Sequence, residues 1–189
     1  NKNSVEFICG AAIGNKPSAI SKLPSTIWMP CLPNTGKHLK PKSVPIGVLP
    51  VIGLEINGDA RAYPLRVMTW HEIANDRVGG VPVAVTYCPL CNAAIVFDAR
   101  IDGQALSFGT TGKLRNSDLI MYDRASESWW QQFIGEGIAG IHTGKRLKLI
   151  ASRLESWSDF RNRHPDGKVL VPNNRLMRDY GRNPYVNYD

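Results

Sequence analysis

The segment TYCPLCNAAIVFD, residues 86–98, sets Cys88 and Cys91 two residues apart between two apolar runs. Such a pair can do three things: hold a soft or borderline metal ion as two thiolates, cycle as a dithiol to a disulfide, or fill a turn with two small side chains. A structural zinc site of four cysteines needs a second pair of the same spacing, and Cys9 and Cys31 stand far from one another and far upstream. A mixed site stays open. His71 precedes the pair, and a fold back across Gly79-Gly80 would bring its imidazole to the two sulfurs. His71, Cys88 and Cys91 would then bind copper, or next zinc, and leave one position for substrate or water. Glu72 and Tyr87 would flank that position as candidate catalytic residues, and the site could serve a metal-dependent oxidoreductase.

The redox reading uses the same atoms. Cys-Pro-x-Cys is the spacing of glutaredoxin-like active sites, with Cys88 as nucleophile and Cys91 resolving. That chemistry uses a helix N-terminus after the strand to lower the thiol pKa, whereas Ile95, Val96 and Phe97 read as strand. His71 and Glu72 are adjacent, so on a helix they point about 100° apart. WHEIAN also has Asn75 where a zincin helix carries its second histidine, which argues against a metalloprotease.

A second polar cluster is RNSDLIMYDRASESWW. Asn116, Ser117 and Asp118 before a strand, and Tyr122, Arg124 and Trp130 beyond, form a candidate substrate-binding rim, because loop groups on a rigid sheet are where sites usually lie. Its bland counterpart is turn chemistry, in which Asn, Ser and Asp bond to nearby backbone. A third class of function is a non-catalytic module whose Trp129, Trp130, Tyr180, Tyr185 and Tyr188 grip a peptide or glycan. In the first two the partner is a small-molecule or peptide substrate. The net charge of +7 is spread in twos and threes with no long basic run, and no helix-turn-helix, zinc-finger or RNA-binding signature accompanies it. That pattern argues against a nucleic-acid partner.

The elements that must position these residues read as follows. Residues 1–47 hold six prolines and form an irregular leader expected to wrap a domain of residues 48–189. No stretch approaches the roughly 18 to 20 apolar residues of a membrane helix, and NKNSVEFICGAAIGNK lacks the basic flank and long apolar segment of a signal peptide. Alternation around Asn57-Gly58 predicts a hairpin, RVMTWHEIANDRV a short helix, and VPVAVTYC and NAAIVFDARI two strands joined by the CPLC turn. Asp102-Gly103 opens a further hairpin, GKLRNSD is a loop, and LIMYDRAS and SESWWQQF are strands. IHTGKRLKLI reads as a strand pair around Thr143-Gly144, and SWSDFRNRHPDG as a helix capped by Ser156. With no alternation of strand and helix, the class is α+β: mainly antiparallel β, barrel- or sandwich-like, with two short helices.

INGDARAYPL, WHEIAND, VGGVPVAVTYCPLCNAAIVFD, NSDLIMYDR, SWWQQF and the stretch through RHPDGKVLVP together resemble the bacterial and archaeal domain of unknown function 3179 family, over residues 52 to 189. The resemblance marks Trp70, His71, Glu72, Cys88, Pro89, Cys91, Asn116, Ser117, Asp118, Tyr122, Asp123, Arg124, Ser128 and Trp130. Many members look exported or lipid-anchored, so the resemblance implies an extracytoplasmic protein, periplasmic or secreted. It carries no activity. Outside the cytoplasm an idle vicinal thiol pair tends to oxidise, whereas a metal-bound pair is protected.

Overall fold

A computed structural model of the chain describes residues 6–7, 27–30, 46–172 and 178–186. Cys9, Cys31 and Tyr188 lie outside the described residues, as does most of the proline-rich leader. Its two described pieces are strands rather than loop: Glu6–Phe7 pairs antiparallel with Ile73–Val78, and Ile27–Pro30 with Lys168–Val171.

Among the described residues three larger sheets stack as layers, and Arg100–Ile101 pairs with Gln104–Ala105 as a separate hairpin. The central one runs Glu6–Phe7, Ile73–Val78, Val81–Cys88, Ala93–Asp98, Lys148–Ile150. One outer sheet runs Arg153–Ser156, Pro50–Ile56, Asp59–Pro64, Lys168–Val171, Ile27–Pro30, with a single parallel pairing between its third and fourth strands. The other runs Phe108–Arg115, Asp118–Asp123, Trp129–Gln131, Glu136–Ala139. Among the described residues no sheet closes into a barrel, so the mainly antiparallel expectation resolves to a sandwich-like stack of layers.

The central sheet is apolar on both faces because both are covered, and a doubly covered strand reads as a nearly unbroken apolar run. In Val81–Cys88, side chains of one parity (Val83, Val85, Tyr87) pack with Ile52, Leu54, Tyr63 and Met68. The other parity (Ala84, Cys88) packs with Phe108, Leu119, Met121 and Trp130. Successive side chains of a strand point to opposite faces, so Cys88 lies in a different layer from its neighbour Tyr87. A smaller core of Val51, Ala60, Ala62 and Phe160 seats the helix Trp157–Arg163 on the outer sheet. That helix begins as its sequence predicts: Ser156 Oγ accepts from Asp159 N at 3.1 Å and donates to Asp159 Oδ2 at 2.7 Å.

Three elements depart from the sequence expectation. The helix RVMTWHEIANDRV stops after Leu65–His71, and Ile73–Val78 is a central strand. Glu72 makes the break at φ 60°, after which the alternation of Ile73 and Ala74 between two cores takes over from helical spacing. The loop GKLRNSD is mostly strand, since Phe108–Arg115 runs to a two-residue turn at Asn116-Ser117, both at positive φ. IHTGKRLKLI is no strand pair: Lys148–Ile150 instead completes the central sheet against Ala93–Asp98.

Candidate metal centre

Cys88 ends the strand Val81–Cys88 and lies opposite Ala93 in the antiparallel ladder, so CPLCN turns the chain within four residues. Pro89 suits the start of such a turn because its φ is preset, and Asn92 takes the left-handed position at φ 51°. Tyr87 braces the turn from the other face, its hydroxyl donating to Asn92 Oδ1 at 3.0 Å. The result is asymmetric: Cys88 is buried and Cys91 exposed, both as free thiols.

The third member comes from the facing sheet. Asn116-Ser117 turns Phe108–Arg115 back into Asp118–Asp123, and the start of that strand lies against the CPLC turn. Cys91 Sγ stands 3.5 Å from Asp118 Oδ1, and Cys88 Sγ 3.9 Å from the Ser117 carbonyl. Asp118 Oδ2 accepts from the Phe133 backbone N–H at 2.8 Å, which fixes the carboxylate's orientation. The ligand atoms of Cys88, Cys91 and Asp118 all lie within 4.8 Å of one another. Among the described residues no Lys or Arg forms an ion pair with Asp118. Partial burial, then the Cys88 sulfur and the Asp118 carboxylate, push the Cys91 thiol up to about 12. Three groups that can each carry negative charge therefore converge with no ion-paired Lys or Arg among the described residues, an arrangement that keeps protons on sulfur or takes a metal ion.

The family described as Protein of unknown function (DUF3179) matches residues 47–189. The chain belongs to the DUF3179 family. Neither the curated proteins nor the solved structures contain a match to it. The expectation from the motifs is thus met for the family.

His71 of this DUF3179 chain is not part of the thiol cluster, whose third member is Asp118. It ends the helix Leu65–His71, buried, with Nε2 2.8 Å from the Tyr180 hydroxyl and the two rings stacked. Burial, then the nearby Arg178 charge, lowers it to about 4, so the imidazole is neutral at pH 7. Glu72 follows it in the strained left-handed conformation. Its carbonyl accepts from Tyr87 N at 2.7 Å, while its buried carboxyl receives the Tyr185 hydroxyl. Burial raises that carboxyl to about 7, against the lowering effect of Tyr185. His71 and Glu72 thus face the C-terminal tail, and the groups whose ligand atoms converge are Cys88, Cys91 and Asp118 rather than His71, Cys88 and Cys91.

The polar rim divides in the same way. Asp118 joins the thiols and Ser117 offers them its carbonyl, while Asn116 is exposed in the turn. Tyr122 lies against Gly109, where a β-carbon would meet its ring at 2.6 Å. Arg124 donates to Ser107 Oγ at 2.9 Å. Trp130 is fully buried and its indole N–H donates to Asp123 at 3.0 Å, so it belongs to the core. Of the described aromatic residues of the peptide- or glycan-gripping reading, Trp129 is exposed, Trp130 is interior, and Tyr180 and Tyr185 hold His71 and Glu72.

Gln132 gave no signal in the sequence. It is completely buried, with Nε2 donating to Thr86 Oγ1 at 2.9 Å and to the Ala93 carbonyl at 3.2 Å, and its Oε1 has no hydrogen-bond partner among the described residues. In WWQQF nothing distinguishes Gln132 from Gln131, because which of the two faces the core depends on the sheet packed behind them.

Proposed function

We propose that this DUF3179 chain binds one divalent transition-metal ion through Cys88, Cys91 and Asp118, with zinc ahead of copper and one coordination position open to an exogenous ligand. The observation that carries this reading is the convergence of two sulfurs and one carboxylate oxygen within 4.8 Å, drawn from two different sheets. Two thiolates and a hard carboxylate oxygen suit zinc, whereas copper(I) favours sulfur and imidazole and loses its expected histidine here. A three-donor set with an open position is the arrangement of zinc sites that polarise a bound water or carbonyl. On this reading the chemistry is Lewis-acid chemistry rather than the metal-dependent oxidation expected from the sequence.

Thiol exchange is less well supported. Cys88, its intended nucleophile, is 1% exposed, no helix follows the pair, and the Cys91 thiol is raised rather than lowered. An extracytoplasmic location suits a dithiol shielded by metal. Among the described residues no helix is long and apolar enough to cross a membrane.

The test is elemental mass spectrometry on untagged protein purified without chelator. Wild type should carry about one equivalent of zinc. Cys88→Ser, Cys91→Ser and Asp118→Asn should each lose most of it, while His71→Gln keeps it. Wild-type metal content in the Asp118→Asn variant would remove this ligand set, and zinc lost in His71→Gln alone would restore the histidine reading.

A further inference from the structure

The Gln132 side chain points to a fourth participant. Thr86 and Cys88 are two residues apart on one strand and share the face that packs on the Phe108–Arg115 sheet, and Ala93 is the residue directly opposite Cys88. An amide bonded to both Thr86 Oγ1 and the Ala93 carbonyl therefore lies over the sheet surface beside the Cys88 side chain. Its orientation is set. Thr86 spends its own proton on the Ile95 carbonyl at 2.7 Å, so it can only accept, and the Ala93 carbonyl can only accept. Both neighbours demand the NH₂ group, and turning the amide over would set oxygen against oxygen. The carbonyl oxygen is thereby held in the interior without a donor among the described residues, a state that normally costs about 1–3 kcal/mol and calls for a donor from elsewhere. The next residue, Phe133, supplies the N–H that fixes Asp118, so one short segment serves both sides of the cluster.

We propose that Gln132 is a positioning residue of the metal site: its Oε1 accepts a hydrogen bond from the water bound at the open coordination position. The inference rests on the metal reading above. It makes the site selective for ligands with a proton on the coordinating atom, such as water or a primary amine, over azide, which has none.

The test uses the cobalt(II)-loaded and zinc-loaded full chain with Gln132→Met and Gln132→Glu. In Gln132→Met the sulfur-to-cobalt charge-transfer band should persist while the ligand-field bands move, and zinc affinity should fall about 10–100-fold, the usual cost of losing an outer-shell partner. Gln132→Glu restores an acceptor oxygen, and the pH dependence of its zinc affinity should depart from that of wild type as the new carboxyl titrates. If the Met variant does not fold, that pH profile carries the test, and an affinity parallel to wild type at every pH would overturn the proposal. Unchanged ligand-field bands and affinity in Gln132→Met would also overturn it, as would loss of the charge-transfer band, which would mean that Gln132 only packs against the thiols. Wild type that binds neither cobalt nor zinc would defeat the metal reading itself, and this inference with it.

Discussion

Ser117 and Trp130 show how much of this site is decided one residue at a time. Ser117 sits at φ 62° in the turn that delivers Asp118, a conformation that costs an L-residue about 1–2 kcal/mol. Ser117→Gly should therefore raise stability by about 0.5–1 kcal/mol in urea titration, the relief of strain being partly offset by glycine's greater freedom in the unfolded chain. A destabilised glycine variant would show that the serine side chain contributes more than its backbone costs. Asp123 presents the opposite case. Burial pushes its carboxyl up, but the Trp130 indole and the Ser126 backbone and hydroxyl outweigh burial and hold it below the usual carboxylate range. Trp130→Phe removes the indole donor from a carboxylate that is completely buried and should cost about 2 kcal/mol. An unchanged denaturation midpoint would mean that Ser126 alone satisfies Asp123. The sequence marked both residues for a substrate rim, since it shows polar and aromatic types without the face that each occupies.

At the scale of elements, the junction between the helix Leu65–His71 and the strand Ile73–Val78 places two titrating groups under the tail, with opposite linkage. Glu72 is raised from 4.5 to about 7, so the folded state holds its proton more tightly, and stability from this group is full below 4.5 and lost as pH rises through 7. His71 is lowered from 6.5 to about 4, so its stability is present above 6.5 and lost as pH falls through 4. Between about 4.5 and 6.5 the two slopes oppose one another. Glu72→Gln leaves only the histidine slope: stability should then climb from pH 4 to 6.5, and at pH 8 the variant should exceed wild type by up to about 3 kcal/mol. Parallel pH profiles for variant and wild type would show that Glu72 is not held as a buried acid. The turn chemistry was legible in the sequence, as Asn57-Gly58, Asp102-Gly103 and the Ser156 cap all stand where residue type placed them. The helix end was not, because Ile73 and Ala74 satisfy helical spacing and strand alternation alike, and only the packing of both central-sheet faces selects the strand.

For the whole molecule, what joins the layers matters more than any one element. Arg61 of an outer strand reaches both oxygens of Asp76 in the central sheet at 2.8 Å, holds Asp59 at 2.6 Å, and is 3% exposed; Tyr63 donates to Asp76 at 2.6 Å. Burial alone would raise Asp59, yet Arg61, the Gly79 N–H and Lys168 hold it at about 2. Removing one partner of a buried ion pair leaves its charge uncompensated, so Arg61→Leu should cost about 3–5 kcal/mol by chemical denaturation. A loss under 1 kcal/mol would show that the two aspartates are solvated well enough to stand alone. By itself the sequence determined a mainly antiparallel β protein of the DUF3179 family with a vicinal thiol pair in a turn between two buried strands, because alternation, turn residues and motif spacing are local properties of the chain. The tertiary structure alone decided that Asp118 rather than His71 stands with the thiols. Strand alternation puts Cys88 and Tyr87 in different layers, and the turn at Asn116-Ser117 reaches the cysteine layer only when the two sheets pack.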